Sequence, residues 1–393
     1  MHWRLAVIPA LVAAGCSCNE QEYSFPDVEP PVDQESPEVF GDWLSMDASP
    51  DGQRLTIAYH EYDFGAVGFA VGTPAGDGSI AWRHERVDGY PGSDGRDVGD
   101  RGSHTTHAVA SDGTVWLAYS DLATGGLFAS QRASGPGSWA EPTAVEPGAG
   151  AWASLALDAA NSPVVAHVGA DGATVRVSRF AGGAWSTDEA YKSSVVIIPA
   201  ADTGSTDEIR PAEVSHTSLL IDDGTEYLVF HDAAAGTLVL LEGVDGAWST
   251  TVVDSGDVGA WASLGLEGDT LWVAYQDVAN QDLKVATRDG GGAFSIQAVD
   301  TDDLRGADTA LVLGSGAPRV AYFDGWNGDL RLATRAGGSW STDRIAGDTT
   351  AMGFHNATAT VASGTWIGTW DMSQQAVRFL NIGGDGAADA TGE

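Results

Sequence analysis

Trp43, His104, Trp152, His216, Trp261, Asp308 and His355 share one context in this 393-residue sequence. Each opens an alternating run, and two places later stands a small residue: Ser45, Thr106, Ser154, Ser218, Ser263, Ala310 or Ala357. Imidazole is a common metal ligand and titrates near neutrality. Indole offers a broad apolar face with one N–H donor. Brought together, these side chains can do one of three things. The indoles can receive a sugar face or a cationic group. His104, His216 and His355 can share a metal ion as cofactor, although no carboxylate stands at ligand spacing beside them. Or the rings plug a channel and pack between neighbouring sheets.

Charged residues gather near the same points. Arg101, Arg210 and Arg305 precede His104, His216 and Asp308, and three guanidinium groups suit a carboxylate clamp. Two of them lie in long connections, Gly89–Ser103 with 15 residues and Tyr191–Ser215 with 25, where the later connections span about 6 to 8. Long connections on a rigid scaffold are where binding residues collect. Glu61, Asp121, Asp232, Asp277, Asp324 and Asp371 form a second acidic tier. They read either as turn caps or as a cation-attracting rim, with calcium at Asp277/Asp282 or Asp324/Asp329, neither of which has EF-hand spacing. No G-x-S-x-G, H-E-x-x-H or P-loop occurs, and no catalytic residue is assigned.

The elements that must position these residues come from an internal repeat. WASLALDAANSPVVAHVGADGATVRVSRFAGGAWSTDEA from Trp152 matches a copy from Trp261 and another from Asp308. Each copy holds four short alternating runs separated by Gly, Asp or Asn turns, the pattern of a four-stranded antiparallel meander. The second run ends at Tyr59, Tyr119, His167, Phe230, Tyr275, Tyr322 and Thr369, spaced by 60, 48, 63, 45, 47 and 47 residues. The fourth run opens with Trp82, Trp139, Trp185, Trp248, Phe294 and Trp340, aromatics expected in the core between sheets. Four-stranded units of this length are propeller blades around a central channel. The expected fold is all-β: a seven-bladed β-propeller of four-stranded antiparallel blades over residues 41–382. The first run of each blade lies innermost, so the seven residues named at the outset form a collar at the channel mouth.

Only six fourth runs are visible, and an open ring leaves an exposed edge. Tyr23–Glu29 repeats the aromatic-to-acid spacing of Trp82 to Asp88 and is one candidate for the closing strand. The other reading makes residues 16–40 a Pro- and acid-rich tether and leaves blade seven three-stranded. The tail 383–393 is expected to be disordered.

Composition narrows the partners. With 19 Lys plus Arg against 55 Asp plus Glu, the net charge is −36, which repels phosphate backbones and excludes nucleic acid. Two Cys make neither a CxxC nor a Cys/His metal pattern. Residues 1–15 carry an early Arg, a short apolar run and small residues before Cys16, a secretory signal too short to span a bilayer. Ala13-Ala14-Gly15-Cys16 resembles the bacterial lipobox, which implies acylation of Cys16 and a membrane contact through the lipid anchor alone. Ser17 after the Cys is similar to the outer-membrane sorting pattern of Gram-negative lipoproteins.

The DLKxATR…GGxW rhythm resembles the sialidase-like, BNR-type propellers of secreted bacterial proteins over roughly residues 40–382. The departure from them is plain: the nearest match to their Asp-box, Ser111–Trp116, lies between the first and second runs rather than the third and fourth. The expected function is a monomeric, membrane-anchored binding or interaction module that takes a glycan, small molecule or protein at the collar face. The alternative implied by the resemblance is a sialidase-like hydrolase or lyase using the Arg cluster. Asp308 and Glu213 are available to it, but no Tyr–Glu nucleophile couple is assigned.

Overall fold

The structure, a computed structural model, describes residues 43–393 apart from 62–63, 90–99, 136, 199–207, 315, 348–349, 384–388 and 391–393. Among the described residues every regular element is a strand. Seven antiparallel sheets of four strands follow one another along the chain, over 45–88, 101–146, 151–192, 214–255, 258–300, 305–346 and 352–390, and in each the strands pair in chain order. The fold is a seven-bladed β-propeller.

The burial of each strand follows from its radial place. Second strands such as Val115–Asp121 and Thr270–Asp277 are continuous apolar runs, because neighbouring blades cover both of their faces. Their aligned residues, from Tyr59 through Tyr275 to Thr369, are essentially inaccessible. Fourth strands such as Ala247–Ser255 face solvent along most of their length. Their leading aromatics pack on the preceding blade: Trp139 on Phe69 with ring centroids 5.2 Å apart, Trp185 on Trp116 at 6.5 Å, and Trp340 on Trp272 at 6.4 Å.

The ring closes through side chains. Leu44, Ile57 and Tyr59 of blade one join Trp366, Val377 and Phe379 of blade seven in one buried cluster, with Trp82 against Phe379 at 4.6 Å. The amide of Ala362 donates to the carbonyl of Gly52 at 2.7 Å across the same seam. Blade seven takes its fourth strand from the C-terminal side, Asp389–Ala390 pairing with Phe379 and Leu380. The outer edge of Ala376–Asn381 offers the backbone groups that this short strand meets. The alternative closing strand, 23–29, lies outside the described residues.

Hydroxyls near the axis bolt successive blades together. The amides of His107, Leu155, Leu219 and Leu264 donate to Ser45, Thr106, Ser154 and Ser218 of the preceding blade, at 2.9 to 3.2 Å. Smallness therefore suits these positions to a narrow axis, and the hydroxyl gives them a second task. Blades six and seven carry Ala310 and Ala357 there instead.

If packing closes the ring, Trp366→Ala should cost about 3–5 kcal/mol, the usual range for emptying a large aromatic site, whereas the exposed Trp326→Ala should cost no more than about 0.5 kcal/mol. Denaturant melts of both variants test this; equal transitions would refute closure by packing.

Candidate functional site

The collar exists because of an unusual backbone. All seven collar residues have φ between 49° and 56°, the left-handed region that L-residues avoid. For bulky side chains this costs roughly 1–2 kcal/mol apiece. A repeated irregularity imposes it. In blade five, Ala260 pairs with Gln276 and Ser263 with Ala274, so Trp261 and Ala262 both stand opposite Tyr275. The same bulge recurs at His104, Trp152, His216, Asp308 and His355. It turns the collar side chain toward the axis. Among the described residues, five collar residues have a glycine two places earlier, Gly102, Gly150, Gly259, Gly306 or Gly353, each with positive φ. A Cβ on Gly306 would lie 2.8 Å from Asp282 O and Leu283 Cα, so only glycine lets the chain pass so close to the preceding blade.

At three collar positions the next residue ties neighbouring blades. Thr217 and Thr309 donate their hydroxyls to the carbonyls of Trp152 and Trp261, and Asn356 Nδ2 donates to the carbonyl of Asp308 at 2.8 Å. Neither these residues nor the glycines figure in the sequence-based site, although both recur at a constant offset from the collar and were readable there.

The rings meet around the axis. His355 and Trp43 have centroids 4.7 Å apart, Trp43 and His104 3.9 Å, His104 and Trp152 4.9 Å, Trp152 and His216 3.9 Å, and His216 and Trp261 4.4 Å. Trp152 also touches Trp43 and Trp261 edge-on, at 5.6 and 5.5 Å. Asp308 interrupts this series between Trp261 and His355. The cavity at the mouth, about 150 Å³, is lined by Trp43, Trp152, Trp261, Asp308, His355 and Asn356 among others.

Its electrostatics are lopsided. Burial pushes His216 down to about 3, helped by His231 and His104, so this imidazole is neutral at physiological pH. Burial pushes Asp308 up to about 7, opposed only by the hydrogen bond from the His355 amide. Among the described residues no Lys or Arg pairs with Asp308.

The other residues singled out in the sequence take the following places. His104, His216 and His355 do not converge on a metal position: the Trp43 ring lies against His355 and His104, and the Trp152 ring against His104 and His216. Among the described residues no group of three His, Cys, Asp or Glu could hold a metal ion. Arg101, Arg210 and Arg305 do not line the collar cavity. Arg101 pairs with Asp88 at 2.8 Å and Asp121 at 3.7 Å, and Arg305 with Asp324 and with Asp300 at 3.4 Å, in joints between blades. Arg210 ends a short strand, Glu208–Arg210, beside Gly236. That strand pairs with Val196–Ile198, so the 25-residue connection carries a hairpin.

The second acidic tier caps turns. Asp121, Asp277, Asp324 and Asp371 each accept amide donors two or three residues on, such as Ala123 at 2.9 Å and Asn280 at 2.9 Å. The two calcium sites are not assembled, because Lys284 holds Asp277 at 2.7 Å and Arg305 holds Asp324.

No family model matches the chain, and no curated protein matches it. Solved structures share the fold at low identity. A prolyl endopeptidase aligns over 90% of this chain and 50% of its own, with 11% identity and a TM-score of 0.54. A Hadza microbial sialidase aligns over 89% of this chain and 66% of its own, with 12% identity and a TM-score of 0.45. A fucose-specific lectin from Aleuria aurantia aligns over 72% and 92%, with 15% identity and a TM-score of 0.45. The chain thus spans half of the first protein and slightly less than two thirds of the second.

Asp308 faces His355 from blade seven, with His104 and His216 elsewhere in the collar, and its titration has a defined sign. A carboxyl raised from 3.8 to about 7 binds its proton more tightly folded than unfolded. Its contribution to stability is therefore greatest below about pH 4 and is lost as pH rises towards 7. Asp308→Asn, which tolerates the left-handed backbone, should be more stable than the parent above neutral pH by up to about 4 kcal/mol. The difference should vanish near pH 4. Denaturant titrations across this range check it, and a pH-independent difference would contradict the assignment.

Proposed function

We propose that this protein is an extracytoplasmic binding module, anchored to the outer membrane through acylated Cys16, whose ligand enters the collar cavity. One observation carries the reading. Seven equivalent positions in a strained backbone hold unlike side chains, and six of them line one cavity. A position serving packing alone would repeat one side chain. Strain of this kind persists where the surroundings enforce it, and it clusters at binding sites.

Binding is favoured over hydrolysis by the placement of the arginines. A clamp for an acidic sugar needs free guanidinium groups, and Arg101 and Arg305 are spent on carboxylates between blades. Exposed apolar side chains stand in the turns that follow the second strands, among them Leu122, Trp326 and Met372, and on the hairpin at Ile197 and Ile209. By the antiparallel order these turns share the face of the collar. They suit the larger body of a glycan, a small molecule or a protein partner whose terminal group sits in the cavity. The sialidase and the lectin among the fold's neighbours act on or bind sugars, which agrees with a glycan among these ligands.

Two outcomes test the parts separately. Trp152→Ala combined with Trp261→Ala should lose every ligand that a glycan-array and thermal-shift screen finds for the parent, while the variant remains folded. Retention of those ligands would end the collar reading. Cys16→Ala in the full chain should fail to incorporate labelled palmitate and should leave the membrane fraction; continued labelling would place the acyl group elsewhere or refute it.

A further inference from the structure

Two acceptors on adjacent blades meet at the collar cavity, and the collar's own groups satisfy them only in part. Asp308 contributes its buried carboxyl. Asn356 contributes a second acceptor: its Nδ2 donates to the carbonyls of Asp308 and Gly353, both at 2.8 Å, which fixes the amide so that Oδ1 is the remaining polar atom. That Oδ1 is buried and has no hydrogen-bond partner among the described residues. A buried acceptor left unpaired costs about 1–3 kcal/mol. Two acceptors in one small space ask for a donor that comes with the ligand.

The remaining walls set the ligand's shape and charge. Trp43, Trp152 and Trp261 line the same cavity, and indole faces attract cations with apolar substituents. At about 150 Å³ the cavity is smaller than the roughly 300–1,000 Å³ of pockets that swallow whole ligands. It takes a compact head group of a few heavy atoms. An anion would meet Asp308 with no cation beside it. A hard metal ion wants about six oxygen ligands, and the described residues assemble no such set. The net charge of −36 enriches cations of every kind at the mouth.

Resting on the binding-module reading, we propose that the collar recognises a compact alkylammonium group that keeps at least one N–H, with Asp308 as its counter-ion, Asn356 Oδ1 as its second acceptor and the indoles around its alkyl carbons. A free methylated amine and the terminal ammonium of a larger molecule present the same chemistry. Trimethylammonium is the probe for the first, and N-dimethyl-hexylamine, which adds an apolar tail, for the second.

Calorimetric titration of the full chain at neutral pH tests this. Trimethylammonium should bind at least tenfold more tightly than tetramethylammonium, which lacks the N–H, and tert-butanol, a neutral molecule of similar bulk, should show no saturable binding. Asp308→Asn should weaken trimethylammonium at least tenfold. Asn356→Ala should erase the preference over tetramethylammonium while leaving weaker cation binding. Tighter binding of the tailed amine than of trimethylammonium assigns the group to a larger molecule, and equal binding assigns it to a free amine. Equal binding of the cations and tert-butanol, or wild-type affinity in Asp308→Asn, overturns the proposal. If no ammonium binds but a sugar or peptide does so in a Trp261-dependent manner, the ligand class is wrong and the binding module stands. If nothing binds in that manner, both fall.

Discussion

Six times around the ring, the chain leaves the outer strand of one blade and must turn onto the inner strand of the next. It has one or two residues near the axis in which to do so. A left-handed residue inside a bulge accomplishes this turn, and glycine two places earlier lets the incoming backbone graze the neighbouring blade. The geometry decides which side chain faces the channel. It also leaves the second-strand residue opposite the bulge, Tyr275 or its equivalent, buried in the joint between blades. The axis, the joints and the cavity all depend on that one local conformation.

A crowded axis excludes water, and the collar's properties follow from that. Imidazoles held among indoles lose their protons, as His216 does. A lone carboxyl among them becomes hard to ionise, as Asp308 does. Protein interiors rarely keep such a group without a partner. The collar keeps it at a cost in stability, together with an unpaired amide oxygen from Asn356. A site that departs from local rules in several ways at one place is where function is expected.

Elsewhere the acidic chain treats charge differently. Its few cations are concentrated in joints between blades. Lys284 sits between Asp254 and Asp277, Arg101 reaches Asp88 and Asp121, and Arg305 reaches Asp300 and Asp324. Tyr275 and Tyr322 donate to the same carboxylates from the next blade, at 2.7 and 2.5 Å. Buried pairs of this kind need every lone pair met, and the turn amides meet the rest. The surplus of negative charge is left to the surface.

The repeat, its strand boundaries and the ring of unlike collar residues were legible in the sequence, because each is a local pattern recurring at a near-constant interval. Alternation marks strands, turn residues mark their ends, and alignment of seven copies exposes the position that varies. The roles of the arginines and of the carboxylates were not legible. Arg305 reads as a free loop cation beside Asp308, yet its partners Asp300 and Asp324 belong to different blades and meet it only when two sheets pack in register. Alignment says that imidazoles and indoles alternate around one ring, but not how closely each indole lies against the imidazoles beside it. Sequence periodicity reports what lies along a strand. Which charges meet across a joint, and which acceptor on the axis is left without a donor, is decided only when seven sheets close on themselves.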